Sequence, residues 1–220
     1  MWEILLDELS KFSALVFLFL LPSCVLGLKY RQRLGKPFRI LVVYLCFNLV
    51  IEIGARILGY TVKNNLPLLH LYTFGELLLW SLFYWEILAR GTALVRHFKW
   101  ITGVALMAIV FNSLFVQGLL TFNSYAKTLA QLMVIFYASS YAFNFLLDDG
   151  PDTPEKKLLR QVNAAVLVYY CGSLFIFMFS KFRGDKADYQ LLWNVNIVLN
   201  LFFQILVFIS LCQAIFKPPK

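Results

Sequence analysis

Long apolar stretches alternate with short polar ones along the whole chain. Seven of the apolar stretches, about 12–28, 40–60, 67–88, 100–120, 127–147, 162–179 and 191–216, have the length and character of membrane-spanning helices. The polar intervals between them are rich in Lys, Arg, Gly, Pro and Asn, for example KYRQRLGKPFR, TVKNNLP and DDGPDTPEKKLLRQ. The last of these reads as a solvated loop. The pattern predicts an all-α fold, a polytopic seven-helix transmembrane bundle, with residues 1–220 forming a single domain.

Composition agrees with the pattern. Hydrophobic residues make up 60% of 220 positions and charged residues 15%, and mean hydropathy is +0.73. A soluble domain is nearer half apolar and a quarter charged. The net charge of +8 then reads as loop anchoring rather than as a nucleic-acid surface, and no nucleic-acid motif occurs. Thirteen Lys and Arg fall on one side of the seven spans and six, Lys127 among them, on the other. That asymmetry predicts an N-terminus outside and a C-terminus in the cytoplasm. The expected setting is a bacterial inner membrane. The acidic start MWEILLDELS does not resemble a secretory signal.

Polar residues inside the spans are the candidate chemistry, because ionisable groups at membrane depth face a partner, a cavity or a ligand. The second span carries Asn48, Glu52 and Arg56, spaced by four on an arc of roughly 80°. The third carries His70, Thr73 and Glu76, with Tyr72 beside Glu76. An antiparallel hairpin of the two spans predicts Glu52 and Glu76 at comparable depth, in a poorly solvated site where Arg56 or His70 must compensate them. The seventh span adds Asn196, Asn200 and Gln204, again spaced by four. Asn112, Ser113 and Gln117 in the fourth span and Gln131 in the fifth extend the same layer. Glu86, with Arg90 four residues on, reads as an ordinary helix-surface ion pair.

Several chemistries do not fit. The seventh span has no Lys before Lys217 to hold retinal, and two histidines are too few for a multi-histidine zinc site. The four cysteines lie in apolar runs without a paired motif. Gly172-Ser173 is only a weak nucleophile motif. No metal and no cofactor is expected, and catalysis by the chain is the weaker expectation.

The segment NNLPLLHLYTFGELLLWSLFYW resembles a recurrent pattern in uncharacterised small seven-helix integral membrane proteins of Bacteroidetes-type bacteria. There an Asn-Asn turn precedes His-x-Tyr-x-x-x-Glu, with an acid in the preceding helix. The matching positions are Asn64, Asn65, His70, Tyr72, Glu76 and Glu52. The resemblance implies a sensory role. The expectation is therefore a membrane sensor or small-ligand receptor with a polar pocket in the outer half. Glu52, Arg56, His70, Tyr72, Glu76, Asn196, Asn200 and Gln204 line that pocket. Its partners would be membrane lipids, a small-molecule or lipid ligand, and a separate cytoplasmic signalling protein on the basic first and third loops. Two rivals remain: a secondary transporter or proton-coupled carrier using Glu52 and Glu76, and an intramembrane lipid-processing enzyme with Glu76 as base and His70 as its partner.

Overall fold

The computed structural model describes residues 13–88, 93–147, 150–179 and 186–216. Seven helices follow one another: α1 (Ser13–Lys29), α2 (Lys36–Thr61), α3 (Leu66–Ile87), α4 (Ala93–Phe111), α5 (Ser124–Leu146), α6 (Pro154–Phe179) and α7 (Lys186–Phe216). There is no strand among the described residues. The helices α2 to α7 each contain a stretch long and apolar enough to cross a membrane, and α1 is apolar over the shorter Leu15–Lys29. The protein is an all-helical, multi-pass membrane protein.

Local chemistry sets the helix ends. Pro37 and Pro67 open α2 and α3 from the first turn, where a missing N–H costs nothing. The second half of DDGPDTPEKKLLRQ is helix rather than solvated loop. Thr153 Oγ1 accepts the Lys156 N–H at 3.3 Å, Pro154 starts α6, and Glu155 sits in its first turn, where an acid suits the helix dipole. Arg160 Nη2 ties this start down by donating to both Asp152 oxygens at 2.9 Å. The fourth span lies about four residues earlier than 100–120, over Arg96–Val116. Helix α4 stops at Phe111 and passes into a π turn over Asn112–Val116, closed by Gln117 N–H to Asn112 O at 2.7 Å.

The helices group into two compact units, α1 with α6 and α7, and α2 to α5. In the first, α7 packs on both α1 and α6. Gly172 lets the Leu199 side chain against α6, since a Cβ there would lie 2.6 Å from Leu199 Cδ1. That packing accounts for Gly172. Tyr169 meets Phe203 with the rings tilted by 31°, and Phe19 meets Phe208 edge to ring.

In the second unit α3 is central and packs on α2, α4 and α5. Its C-terminal half is an aromatic layer: Trp80 against Tyr44 at 4.6 Å, Tyr84 against Tyr137, and Phe98 against Tyr137 at 4.6 Å. Thr102 Oγ1 and the Tyr137 hydroxyl share a hydrogen bond of 2.8 Å. The exposed faces carry apolar residues such as Val50, Ile57, Met107 and Leu132, as helices whose backbone groups are satisfied internally can afford in hydrocarbon.

The α2–α3 hairpin has an unexpected offset. Lys36 pairs with Glu86 at 2.8 Å, a Cβ on Gly75 would collide with the Phe47 ring, and a Cβ on Gly54 would lie 3.2 Å from Leu68. These three contacts fix one antiparallel register. It makes α2 overshoot the start of α3 by about a turn and a half, and the chain runs back along α2 through 62–65. The return starts at Lys63, which adopts a left-handed φ of 56°. The Asn64 side chain then accepts the Leu66 N–H at 3.0 Å, a local turn bond typical of Asn. Glu86 therefore pairs with Lys36, and Arg90 lies outside the described residues.

Candidate functional site

The offset separates the two acids expected to share a site. Glu52 is level with His70, whereas Glu76 lies about six residues deeper, or roughly 9 Å at 1.5 Å per residue. Each acid has its own surroundings.

Glu76 is sealed. Its side chain is 0% exposed and its cation is Lys127, 1% exposed, with Nζ donating to Oε2 at 2.5 Å. The Tyr72 hydroxyl donates to Oε1 at 2.6 Å. The Lys127 ammonium also lies 4.4 Å from the centre of the Tyr72 ring, within cation–π range. One aromatic residue thus serves both charges. Helices α3 and α5 run parallel, since Thr73 meets Asn123, Glu76 meets Lys127 and Tyr84 meets Tyr137 in the same order. Lys127 was expected as a loop charge at the outer edge of the fifth span. The structure starts α5 at Ser124 and buries Lys127 between α3 and α5. The signal was present: Asn123, Lys127 and Gln131 are spaced by four and are all buried.

His70 belongs to a clasp. Its Nε2 lies 3.0 Å from the Thr121 carbonyl and its Nδ1 2.8 Å from Ser113 Oγ. A carbonyl can only accept, so Nε2 carries a hydrogen, while the Ser113 hydroxyl lies within reach of both His70 Nδ1 and the Ile109 carbonyl, to which it donates at 3.0 Å. Both nitrogens are spent joining α3 to the π turn and to the segment before α5, and neither is left for Glu76. Around it, Asn123 Nδ2 donates to Thr73 Oγ1 at 3.0 Å, Asn112 Nδ2 to Gln117 Oε1 at 3.1 Å, and Gln117 Nε2 to Ser124 Oγ at 3.2 Å. Of the polar residues predicted at the outer end of the fourth span, Asn112 and Gln117 bind each other and Ser113 meets His70.

Glu52 is open. With Ala55, Arg56, Gly59, Tyr60 and Asn65 it lines a recess of about 340 Å³ on the overhanging end of α2. Glu52 is half-buried and Arg56 exposed. Ala55 and Gly59 leave the space, and a Cβ on Gly59 would meet nothing within 4 Å.

The α7 row belongs to the first unit. Gln204 is buried and Asn196 and Asn200 are half-buried. Gln204 Oε1 and Asn196 Oδ1 find no hydrogen-bond partner among the described residues, and neither does the Nδ2 of Asn194, a buried neighbour that the spacing by four did not include.

Compared with family models, with curated proteins and with solved structures, the chain matches none. The functional reading therefore rests on this geometry, and the resemblance on its own residues.

Proposed function

We propose that this protein is a membrane sensor or receptor for a small ligand, and that the α2 recess is where the ligand binds. The observation that carries this reading is a single opening that places a carboxylate, Glu52, and a guanidinium, Arg56, over a floor kept small by Ala55 and Gly59. Charges of both signs in a concave site at membrane depth are expensive to keep. The sealed Glu76–Lys127 pair and the His70 clasp are then the frame that receives the signal. Phe47, on the same helix as the recess, sits on Gly75 and stacks with Tyr72 at 6.3 Å, and Tyr72 holds Glu76. A movement of α2 on binding bears directly on the buried pair, the kind of contiguous contact that coupling requires. The setting is the bacterial inner membrane with the recess facing outward. A separate cytoplasmic protein carries the signal on.

The test is native mass spectrometry of the gently extracted protein, wild type beside Gly59→Phe. The expected result is a stoichiometric small molecule on the wild type that is missing from the variant, with both proteins equally stable. Equal ligand content and equal cellular phenotype in the two proteins would sink the reading.

The buried Glu76–Lys127 pair favours a second reading, a proton-coupled carrier in which these two groups exchange the proton. Proton flux in proteoliposomes that disappears in Glu76→Gln would support it over the receptor.

A further inference from the structure

The recess has a chemical direction that holds whichever side of the membrane it faces. In the α2–α3 register Arg56 is level with the first residues of α3, where the chain enters the membrane. Glu52 lies one turn further in, about 6 Å along the axis. The backbone of Arg56 is thus nearer the water and that of Glu52 nearer the membrane interior. The complementary molecule leads with an ammonium and trails with a carboxylate or phosphate. A phospholipid seated in the same leaflet presents the reverse order. Its acyl chains point to the midplane, so its phosphate lies deeper than any ammonium in its headgroup.

Size and donors agree with a small solute. A recess of about 340 Å³ over Ala55 and Gly59 holds a compact molecule. Tyr60 and Asn65 add a hydroxyl and an amide beside the two charges. Arg56 has five N–H donors in a fixed fork, so it can hold a carboxylate or phosphate through two of them and keep bonds within the protein through the others.

We infer that the α2 recess binds a small water-soluble zwitterion, with its ammonium inward on Glu52 and its anionic end outward on Arg56, rather than a membrane lipid headgroup. This rests on the receptor reading above and names its ligand class.

The experiment uses the full-length protein in phosphatidylglycerol nanodiscs and follows its melting temperature with added probes. The zwitterionic probes are glycine, γ-aminobutyrate and phosphoethanolamine, and the single-charge probes are ethanolamine and inorganic phosphate. Binding to the folded state raises the melting temperature saturably. The expected result is a rise with at least one zwitterion at millimolar concentration and none with the single-charge probes. Glu52→Gln and Arg56→Gln should each raise the half-saturating concentration about tenfold or more. Gly59→Phe should remove the response while leaving the unliganded melting temperature unchanged, and Gly59→Leu is a smaller plug for the same purpose. A rise with phosphate alone that survives Glu52→Gln would overturn the zwitterion class but keep the recess as a receptor site. A rise on replacing phosphatidylglycerol by phosphatidylethanolamine, with no response to any free zwitterion, would overturn it in favour of a lipid. No response to any probe in either bilayer would overturn the ligand class, while the mass-spectrometric comparison with Gly59→Phe still decides the receptor reading separately.

Discussion

Glu52 and Glu76 are two carboxylates in neighbouring helices, each within a few residues of an aromatic or basic side chain, and their fates differ completely. Glu76 is enclosed between α3 and α5 with an ammonium on one oxygen and a phenol on the other. Glu52 lies on the rim of a recess that nothing fills from within the hairpin. The difference teaches that an acid in a membrane helix is not a site in itself. An acid whose acceptors are already matched is part of the frame, and one that opens on a cavity is available to a ligand. Desolvation makes the first kind structural, because two buried ions hold each other only while both are present.

The largest expected effect is on the sealed acid. Glu76→Gln or Lys127→Met leaves one charge buried without its partner and should cost about 3–5 kcal/mol of stability. Thermal or denaturant unfolding in detergent measures this. Combining Glu76→Leu with Lys127→Met should recover most of the loss, since no charge is then stranded. A double variant as unstable as the singles would mean that the pair does more than neutralise itself.

Tyr72→Phe sharpens the same side of the comparison. It keeps the ring under the ammonium and removes the hydroxyl from Glu76, and should cost about 1.5–3 kcal/mol, the worth of a hydrogen bond to a charged group. A loss no larger than that of an exposed substitution would separate the tyrosine from the pair.

Lys63→Gly tests the turn that creates the offset. The left-handed φ of 56° at Lys63 is free of penalty for Gly, so the variant should gain up to about 1 kcal/mol. A loss of stability would mean that the Lys side chain holds the return path.

Glu52→Gln, the smallest, should change stability by less than about 0.5 kcal/mol, as is usual away from packed or paired features. A loss approaching that of Glu76→Gln would erase the distinction between the two acids and make Glu52 part of the frame.

Much of the architecture was legible beforehand. Hydrophobic runs separated by polar turns located the seven helices among the described residues, because long apolar helices declare themselves within their own sequence. Their ends were less legible. Glu155 and two lysines made 154–161 look like loop, but Thr153, Pro154 and Glu155 form a helix start once their order is considered. Tyr72 beside Glu76 was readable from a spacing of four. Lys127 was misread because its neighbours TFNSYAK look like a turn, although Asn123, Lys127 and Gln131 share one face.

The sequence by itself determined the helices, their apolar outer faces and the presence of charges within them, since hydropathy and periodicity are local properties. Only the tertiary structure decided which charges are partners. The Glu76–Lys127 pair joins residues 51 positions apart, through parallel packing of two helices that are not adjacent in the chain. The separation of Glu52 from Glu76 depends on the path of four residues, 62–65, which run back along α2 instead of straight across. Neither is encoded in any one segment. The second follows from how Phe47 and Leu68 settle against the glycines of the facing helix.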